Sequence, residues 1–143
     1  LTHCEGGSGG TEQVEVLAEF GVEPTRVVLS HTDKVVDIGY HLDLAATGAN
    51  LEYDQALRHP IDEENRSVQL VTEMVAAGYA GQLMVGTDGA RRSMWTAYGG
   101  TPGLAALATD VVALLARLGV DDDSLSQILR INPARFFSFS EAA

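Results

Sequence analysis

The sequence has little from which a disulfide, a membrane span or a basic surface could be built. It contains a single cysteine, which excludes an internal disulfide and fits a reducing compartment, so we expect a cytoplasmic protein. No apolar run approaches the roughly 20 residues that cross a bilayer. Only 9 basic residues face 20 acidic ones, and the net charge of -11 disfavours nucleic acid and anionic membranes, because both require clustered cations. Small molecules are the expected partners.

The chain is also short for some of the folds that it suggests. Its 143 residues, 45% of them hydrophobic, suffice for one domain with a core. A complete eight-unit barrel typically needs about 250 residues. A whole barrel is therefore excluded, and half of one is not.

Short apolar runs alternate along the chain with segments of helical periodicity, which is the pattern of βα units. Strands are predicted at residues 1–4, 26–30, 49–54 and 82–87. Helices are predicted at residues 11–20, 35–46, 67–77, 104–118 and 121–137. Right-handed crossovers make the four strands parallel. The predicted fold class is α/β, the C-terminal half of a (β/α)8 barrel; a small doubly wound domain would more comfortably start with a complete strand and a phosphate loop.

Three predicted strands end in side chains that can bind a metal ion. His3 lies at the end of the first strand, and His31 and Asp88 directly follow the second and fourth. The carboxyl ends of parallel strands lie together at one end of a sheet, and active sites are found there. Two imidazoles and a carboxylate are ligands that zinc accepts. These residues alone fit hydrogen-bonded strand ends as well as a hydrolytic metal site.

The long polar segment after the fourth strand is a candidate substrate-binding loop. It contains Arg91, Trp95 and Tyr98, and a guanidinium beside aromatic rings could hold a substrate carboxylate or acyl chain. Packing of the loop, or a contact with another subunit, is the alternative.

Taken together, five segments resemble strands five to eight and the final helix of the phosphotriesterase family, within the amidohydrolase superfamily. They are Thr2-His3, Ser30-His31-Thr32-Asp33, Leu51-Glu52-Tyr53-Asp54, Gly86-Thr87-Asp88 and Asn132-Pro133-Ala134-Arg135-Phe136-Phe137. The segments match in order and spacing over essentially the whole chain. The resemblance implies a barrel hydrolase with two divalent metal ions, in our interpretation zinc, at its mouth.

The resemblance also implies roles for individual residues. His3 and His31 would bind one metal ion, and Asp88 would bind the other and accept a proton. A hydroxide activated between the ions would attack a lactone, a carboxylic ester or a phosphotriester. A deaminase or nuclease of the same architecture is one alternative, and a non-catalytic α/β assembly module is another.

The chain departs from the family pattern in its ligand set. It has no His-x-His, and its only lysine, Lys34, follows the second strand, where it cannot replace the family's bridging carboxylated lysine. Three of six expected protein ligands are present. We therefore expect residues 1–143 to be the C-terminal half of a catalytic barrel. The unpaired edges of the outer strands would then face the N-terminal half of the same barrel, or a second copy in a homo-oligomer.

A second departure concerns the substrate. Phosphotriesterases proper carry an acid just after strand six and a histidine just after strand seven, which pass a proton outward. The corresponding positions here are Asp33-Lys34 and Asp54-Gln55. This difference favours a lactone, carboxylic ester or related acyl substrate over an organophosphate.

Overall fold

A computed structural model describes residues 1–138 and shows a four-stranded sheet. The strands are β1 (Thr2–His3), β2 (Val28–Ser30), β3 (Asn50–Tyr53) and β4 (Leu83–Val85). Each pairs in parallel with its neighbour in sequence, in the order β1-β2-β3-β4. The prediction of four parallel βα units is confirmed.

Helices follow the strands and supply the apolar partner of the sheet. They are α1 (Gly10–Glu19), α2 (Ile38–Ala46), α3 (Arg66–Ala76), α4 (Asp110–Arg117), α5 (Asp122–Ser126) and α6 (Asn132–Phe137). Side-chain caps set where three of them start, because Asp37, Asn65 and Asp121 each accept a backbone N–H of the first turn. Among residues 1–138, none of these helices is both long and apolar enough to cross a membrane.

Two predicted helices differ from the structure. The segment predicted as one helix at 104–118 is a 3-10 turn, Leu104–Leu107, followed by α4, whose first residue Asp110 favours a helix start electrostatically. The helix predicted at 121–137 consists of α5 and α6, joined by a π-helical turn at Gln127–Ile131. Apolar periodicity continues through both breaks, so it could not reveal them.

The main core lies between the helices and one face of the sheet. Leu29, Leu51, Tyr53 and Leu83 point from the strands into it and are fully buried. The helices and the segments around them contribute residues that include Leu44, Leu70, Met74, Leu114, Leu115 and Ile128. Burial of each such side chain stabilises the fold by about 1.5–3 kcal/mol. Cys4 also lies in this core, 1% exposed, so its position fits packing.

The opposite face of the sheet carries the polar residues that lead to the candidate site. Strand pairing places His3 beside Ser30, Ser30 beside Glu52, and Glu52 beside Met84. These four residues form one row across the sheet, which we call the rim row. Residues that follow the rim row in each strand leave the sheet at the same end.

The closing Asn132–Phe137 segment fastens the last helix to the opposite end of the sheet. The Asn132 side-chain amide, fully buried, donates to the carbonyls of Ala80 at 2.8 Å and Leu83 at 2.6 Å. Arg135 donates to the carbonyl of Gly81 at 2.8 Å. This segment, which contributed to the family resemblance, therefore has a structural role at the start of β4.

A buried histidine joins α2 to β3. His41 is fully buried, and its two ring nitrogens lie 2.8 Å from the carbonyl of Val35 and 2.8 Å from the hydroxyl of Tyr53. Burial lowers the pKa of His41, against a weaker opposing effect of the bond to Val35. The neutral imidazole is therefore the form that the core accepts.

We predict that His41 makes the protein less stable in mild acid. Because the pKa of His41 is lower in the folded state, its contribution is fully present above the unfolded pKa, about 6.5, and is lost as the pH falls from there through the lower pKa of the folded state. His41→Gln should lower the free energy of unfolding near neutral pH by about 1–3 kcal/mol. It should also flatten the decline in stability between about pH 7.5 and 5.

Urea unfolding across this pH range tests the prediction, with His59→Gln as the control because His59 is exposed. An unchanged pH dependence in His41→Gln would contradict it.

Candidate metal site

Three side chains of types that can hold a metal ion meet where the strands end. His31 is one residue beyond the rim row, Asp54 is two beyond it, and Asp88 is four beyond it. One potential ligand atom from each lies within 4.8 Å of the other two. We call His31, Asp54 and Asp88 the ligand triad.

Two members of the triad have an unusual backbone. Among residues 1–138, His31 (φ 65) and Asp88 (φ 36) are the residues other than glycine with positive φ. Such conformations cost about 1–3 kcal/mol each and concentrate at functional sites. Strand alternation would direct the residue after Ser30 towards the helices, whereas the left-handed turn at His31 accompanies an imidazole that lies against Asp54.

The contact between His31 and Asp54 is short and almost fully buried. Nδ1 of His31 lies 2.7 Å from Oδ2 of Asp54, with side-chain exposures of 11% and 4%. The carboxylate oxygen lies off the direction of a straight hydrogen bond, so Nδ1 has no aligned partner among the described residues. Ser30 donates to Asp54 Oδ2 at 3.2 Å. A buried imidazole nitrogen close to two carboxylates fits a divalent cation such as zinc.

His3 lies beside the triad rather than within it. Its ring packs edge-on against that of His31, with ring centres 4.3 Å apart. The His3 side chain is 55% exposed, and its Nε2 contacts the carboxylate of Glu5. Lys34 donates to the backbone carbonyl of Glu5 at 2.8 Å. His3 is thus close enough to His31 to share a metal site, but Glu5 already engages one of its nitrogens.

Asp88 is held by an arginine from the neighbouring loop. Nη2 of Arg58 lies 2.5 Å from both Oδ2 and the backbone oxygen of Asp88. Burial acts to raise the pKa of Asp88, but the hydrogen bond and charge of Arg58 outweigh it and hold that pKa below its ordinary value. Asp88 is therefore an anion at neutral pH.

A further carboxyl group lies below the triad, in the rim row. Burial raises the pKa of Glu52, and the nearby charge of Asp54 adds to the effect. Glu52 fits there because Gly86 faces it: a Cβ at Gly86 would lie 2.5 Å from Glu52 Oε1 and 3.3 Å from Asp54 Cβ. The glycine at this position makes room for an interior acid.

The loop after β4 places the predicted substrate-binding residues on the surface. The ring centres of Trp95 and Tyr98 lie 6.1 Å apart, and the two residues are 41% and 59% exposed. The indole N–H of Trp95 donates to the carbonyl of Gly89 at 2.6 Å, which ties the pair to the residue after Asp88. The guanidinium over the Tyr98 ring, 4.6 Å from its centre, belongs to Arg92; Arg91 is exposed beside it.

The sequence pattern did not reveal the full set of residues around the triad. Asp54 ends a predicted strand, and from sequence a structural hydrogen-bonding role suits it at least as well as the orientation of a ligand or a loop. Arg58 had no signal, because its contact with Asp88 joins residues 30 positions apart. Only the parallel pairing of β3 and β4 brings their following loops together.

Comparison with known proteins identifies the family. The model of the phosphotriesterase family matches residues 1–137, so the chain belongs to the phosphotriesterase family.

Solved and curated relatives agree with this assignment. The phosphotriesterase homology protein of Escherichia coli, solved with phosphate in its active site, superposes with a TM-score of 0.88 at 26% identity, over 96% of this chain and 47% of that one. A lactonase from Listeria monocytogenes gives a TM-score of 0.86 at 27% identity, over 97% and 44%. The N-acetyltaurine hydrolase of Tetraodon nigroviridis is 28% identical over 90% of this chain and 40% of its own length.

These relatives are longer than the chain. It spans 40–47% of the length of each of the three, and the structures that it matches are barrels of the phosphotriesterase type. The four-stranded sheet is therefore a partial barrel, as predicted.

We predict that Gly86→Ala strains the interior below the triad. The added methyl group would overlap Glu52 and press on Asp54, so the free energy of unfolding should fall by about 1–2 kcal/mol. Gly81→Ala is the matched control, because its Cβ would meet no atom within 4 Å. It should stay within about 0.5 kcal/mol of the parent. Urea unfolding measures both, and equal stability of the two variants would refute the prediction.

Proposed function

We propose that this chain carries part of the catalytic centre of a metal-dependent hydrolase with two divalent ions, in our assignment zinc. The observation that carries the proposal is the convergence of His31 and Asp88 at the carboxyl end of parallel strands in a chain of the phosphotriesterase family. We assign His31 and His3 as imidazole ligands and Asp88 as a carboxylate ligand. Asp54 is a further ligand candidate on geometry, because it completes the triad.

The chemistry divides between the ions and the side chains. When bound, the two ions supply a nucleophilic hydroxide at neutral pH and polarise the substrate oxygen. Asp88, kept ionised by Arg58, is placed to accept the proton of the attacking nucleophile. The left-handed backbone at His31 and Asp88 holds both groups over the same end of the sheet. This arrangement suits addition of water to an ester, a lactone or a phosphotriester.

We assign substrate binding to the loop after β4. Arg91, Trp95 and Tyr98 form, in this proposal, a surface that binds the part of the substrate remote from the bond being broken. Trp95 is bonded to the carbonyl of Gly89, which directly follows Asp88, so this surface adjoins the candidate centre. The relatives named as a lactonase and as N-acetyltaurine hydrolases direct attention to acyl substrates. We propose a lactone or carboxylic ester as the first class to test.

We also propose that residues 1–143 are the C-terminal half of the barrel. The relatives extend over more than twice this length, and the chain lacks the His-x-His and the bridging lysine that the family resemblance implies. The first half would supply those ligands and cover the edge of β1. The described ligand set is therefore half of a dinuclear centre.

The proposed activity predicts sensitivity to metal removal and to two substitutions. The complete protein is assayed against a panel of substrates: a lactone, a carboxylic ester, a phosphotriester and an N-acyl taurine. A chelator should abolish the hydrolysis that is observed, and added zinc should restore it. His31→Ala and Asp88→Asn should each lower kcat by about 100-fold or more, with the fold intact by circular dichroism.

His59→Ala is the control, because His59 is an exposed histidine outside the triad. Unchanged turnover of folded His31→Ala would overturn the hydrolase assignment and leave an assembly role. Turnover that survives complete metal removal would also overturn it.

The half-site proposal predicts weak metal binding by residues 1–143 alone. Isothermal calorimetry with zinc should show no tight two-ion binding, because three of six implied protein ligands are present. Tight binding of two ions without added protein would refute the division of the centre. Circular dichroism of the isolated segment is the control, because the titration tests the site only if the segment is folded.

A further inference from the structure

Arg58 makes an unusual contact for a buried arginine. Its side chain is 11% exposed, and its Nη2 donates to two oxygens of one residue, the carboxylate and the backbone carbonyl of Asp88. Nε and Nη1 are buried and have no hydrogen-bond partner among the described residues. Within the described part of the chain, the hydrogen bonds of this guanidinium are thus directed to Asp88.

Such a contact is a poor device for stability alone. Burying a guanidinium carries a large desolvation cost, which an ion pair offsets only when its remaining N–H groups are also satisfied. Here two of the three nitrogens lack a partner among the described residues. The burial of Arg58 is therefore better explained by a role in fixing the geometry of Asp88.

Asp88 is a residue that requires such fixing. Its backbone is left-handed, at φ 36, and it lies between Gly86 and Gly89, two residues from one and next to the other. Glycines leave the chain free to adopt other conformations. One donor that holds both the carbonyl and the side chain of Asp88 restricts the backbone and the carboxylate together.

The segment that presents Arg58 is itself well anchored. Arg58 ends the 3-10 turn Ala56–Arg58, in which Ala56 and Leu57 are buried. The side-chain amide of Asn65 donates to the carbonyls of Ala56 at 2.9 Å and Pro60 at 2.8 Å, on either side of Arg58. Since this turn follows β3, Arg58 links the end of that strand to Asp88 in the loop after β4.

We propose that Arg58 is the positioning residue of the centre: it clamps Asp88 by Oδ2 and the backbone oxygen, so that Oδ1 is presented to the metal ions. This inference rests on the proposed function, because it assigns Asp88 as a ligand. It adds a residue that contacts neither metal nor substrate in this assignment.

The test compares Arg58→Ala with Arg66→Ala in the complete protein. Arg66 is an exposed arginine on α3 that bonds Gln69, so it controls for loss of a positive charge. Arg58→Ala should weaken zinc affinity, measured by chelator competition, by about 10–100-fold. It should lower kcat by a similar factor and change KM by less than about threefold. Arg66→Ala should match the parent.

Hydrogen exchange of the zinc-free protein measures how firmly Arg58 holds the backbone around Asp88, and it requires neither activity nor metal. Amides of residues 86–90 should exchange about 10-fold faster in Arg58→Ala than in Arg66→Ala. Guanidinium added below denaturing concentrations should partly restore zinc affinity to Arg58→Ala, and not to the double variant that also carries Asp88→Asn.

The inference is overturned if folded Arg58→Ala keeps zinc affinity within about twofold of the parent. It is also overturned if affinity falls while exchange at residues 86–90 is unchanged, since charge alone would then explain the loss. If Arg58→Ala does not fold, Arg58→Lys decides: its shorter side chain should weaken zinc affinity, and parental affinity would overturn the clamp. A parent that binds no divalent ion overturns the proposed function itself, an outcome seen before any variant is made.

Discussion

The pairing of four parallel strands fixes the height at which each polar side chain leaves the sheet. His3, Ser30, Glu52 and Met84 are level with one another, and the triad lies above them at successively greater distances along the chain. The strands are only two to four residues long, so each ends close to this row. The helices on the other face hold the pairing in place through the apolar core. A shift of one residue in any strand would move the polar side chain at its end out of this arrangement.

The site that results is rich in acid and poor in base. Asp54 and Asp88 belong to the triad, and Glu52, whose pKa burial raises, lies just below. Like charges this close oppose one another unless a cation lies between or beside them. Lys34 bonds the carbonyl of Glu5, and Arg58 pairs with Asp88. The charge pattern therefore favours a site that receives positive charge from bound ions, with one arginine to orient the outermost carboxylate.

Features that depend on local or periodic patterns can be predicted from the sequence. Contacts between residues far apart in the sequence cannot. Strand ends place His31 and Asp88 at one face because parallel strands terminate together. The helix caps at Asp37 and Asn65 shift predicted boundaries by one to three residues, since periodicity does not register a cap. The left-handed turn at His31 has no signal in the sequence, and neither does the pairing of Arg58 with Asp88, which depends on the parallel pairing of β3 and β4.

Strain and unsatisfied polar groups concentrate at the same end of the molecule. Among the described residues, every buried side-chain nitrogen or oxygen without a partner belongs to the loops after β2 and β3, in His31, Thr32, Asp33 and Arg58. Each such group costs about 1–3 kcal/mol, so a fold shaped by stability alone would pair them. The contrasting end is tightly satisfied, with Asn132 and Arg135 bonded to carbonyls around β4. The residues that stabilise the fold thus lie among the helices and around the start of β4, whereas the loops after the strands carry the strained backbone and the unpaired polar groups.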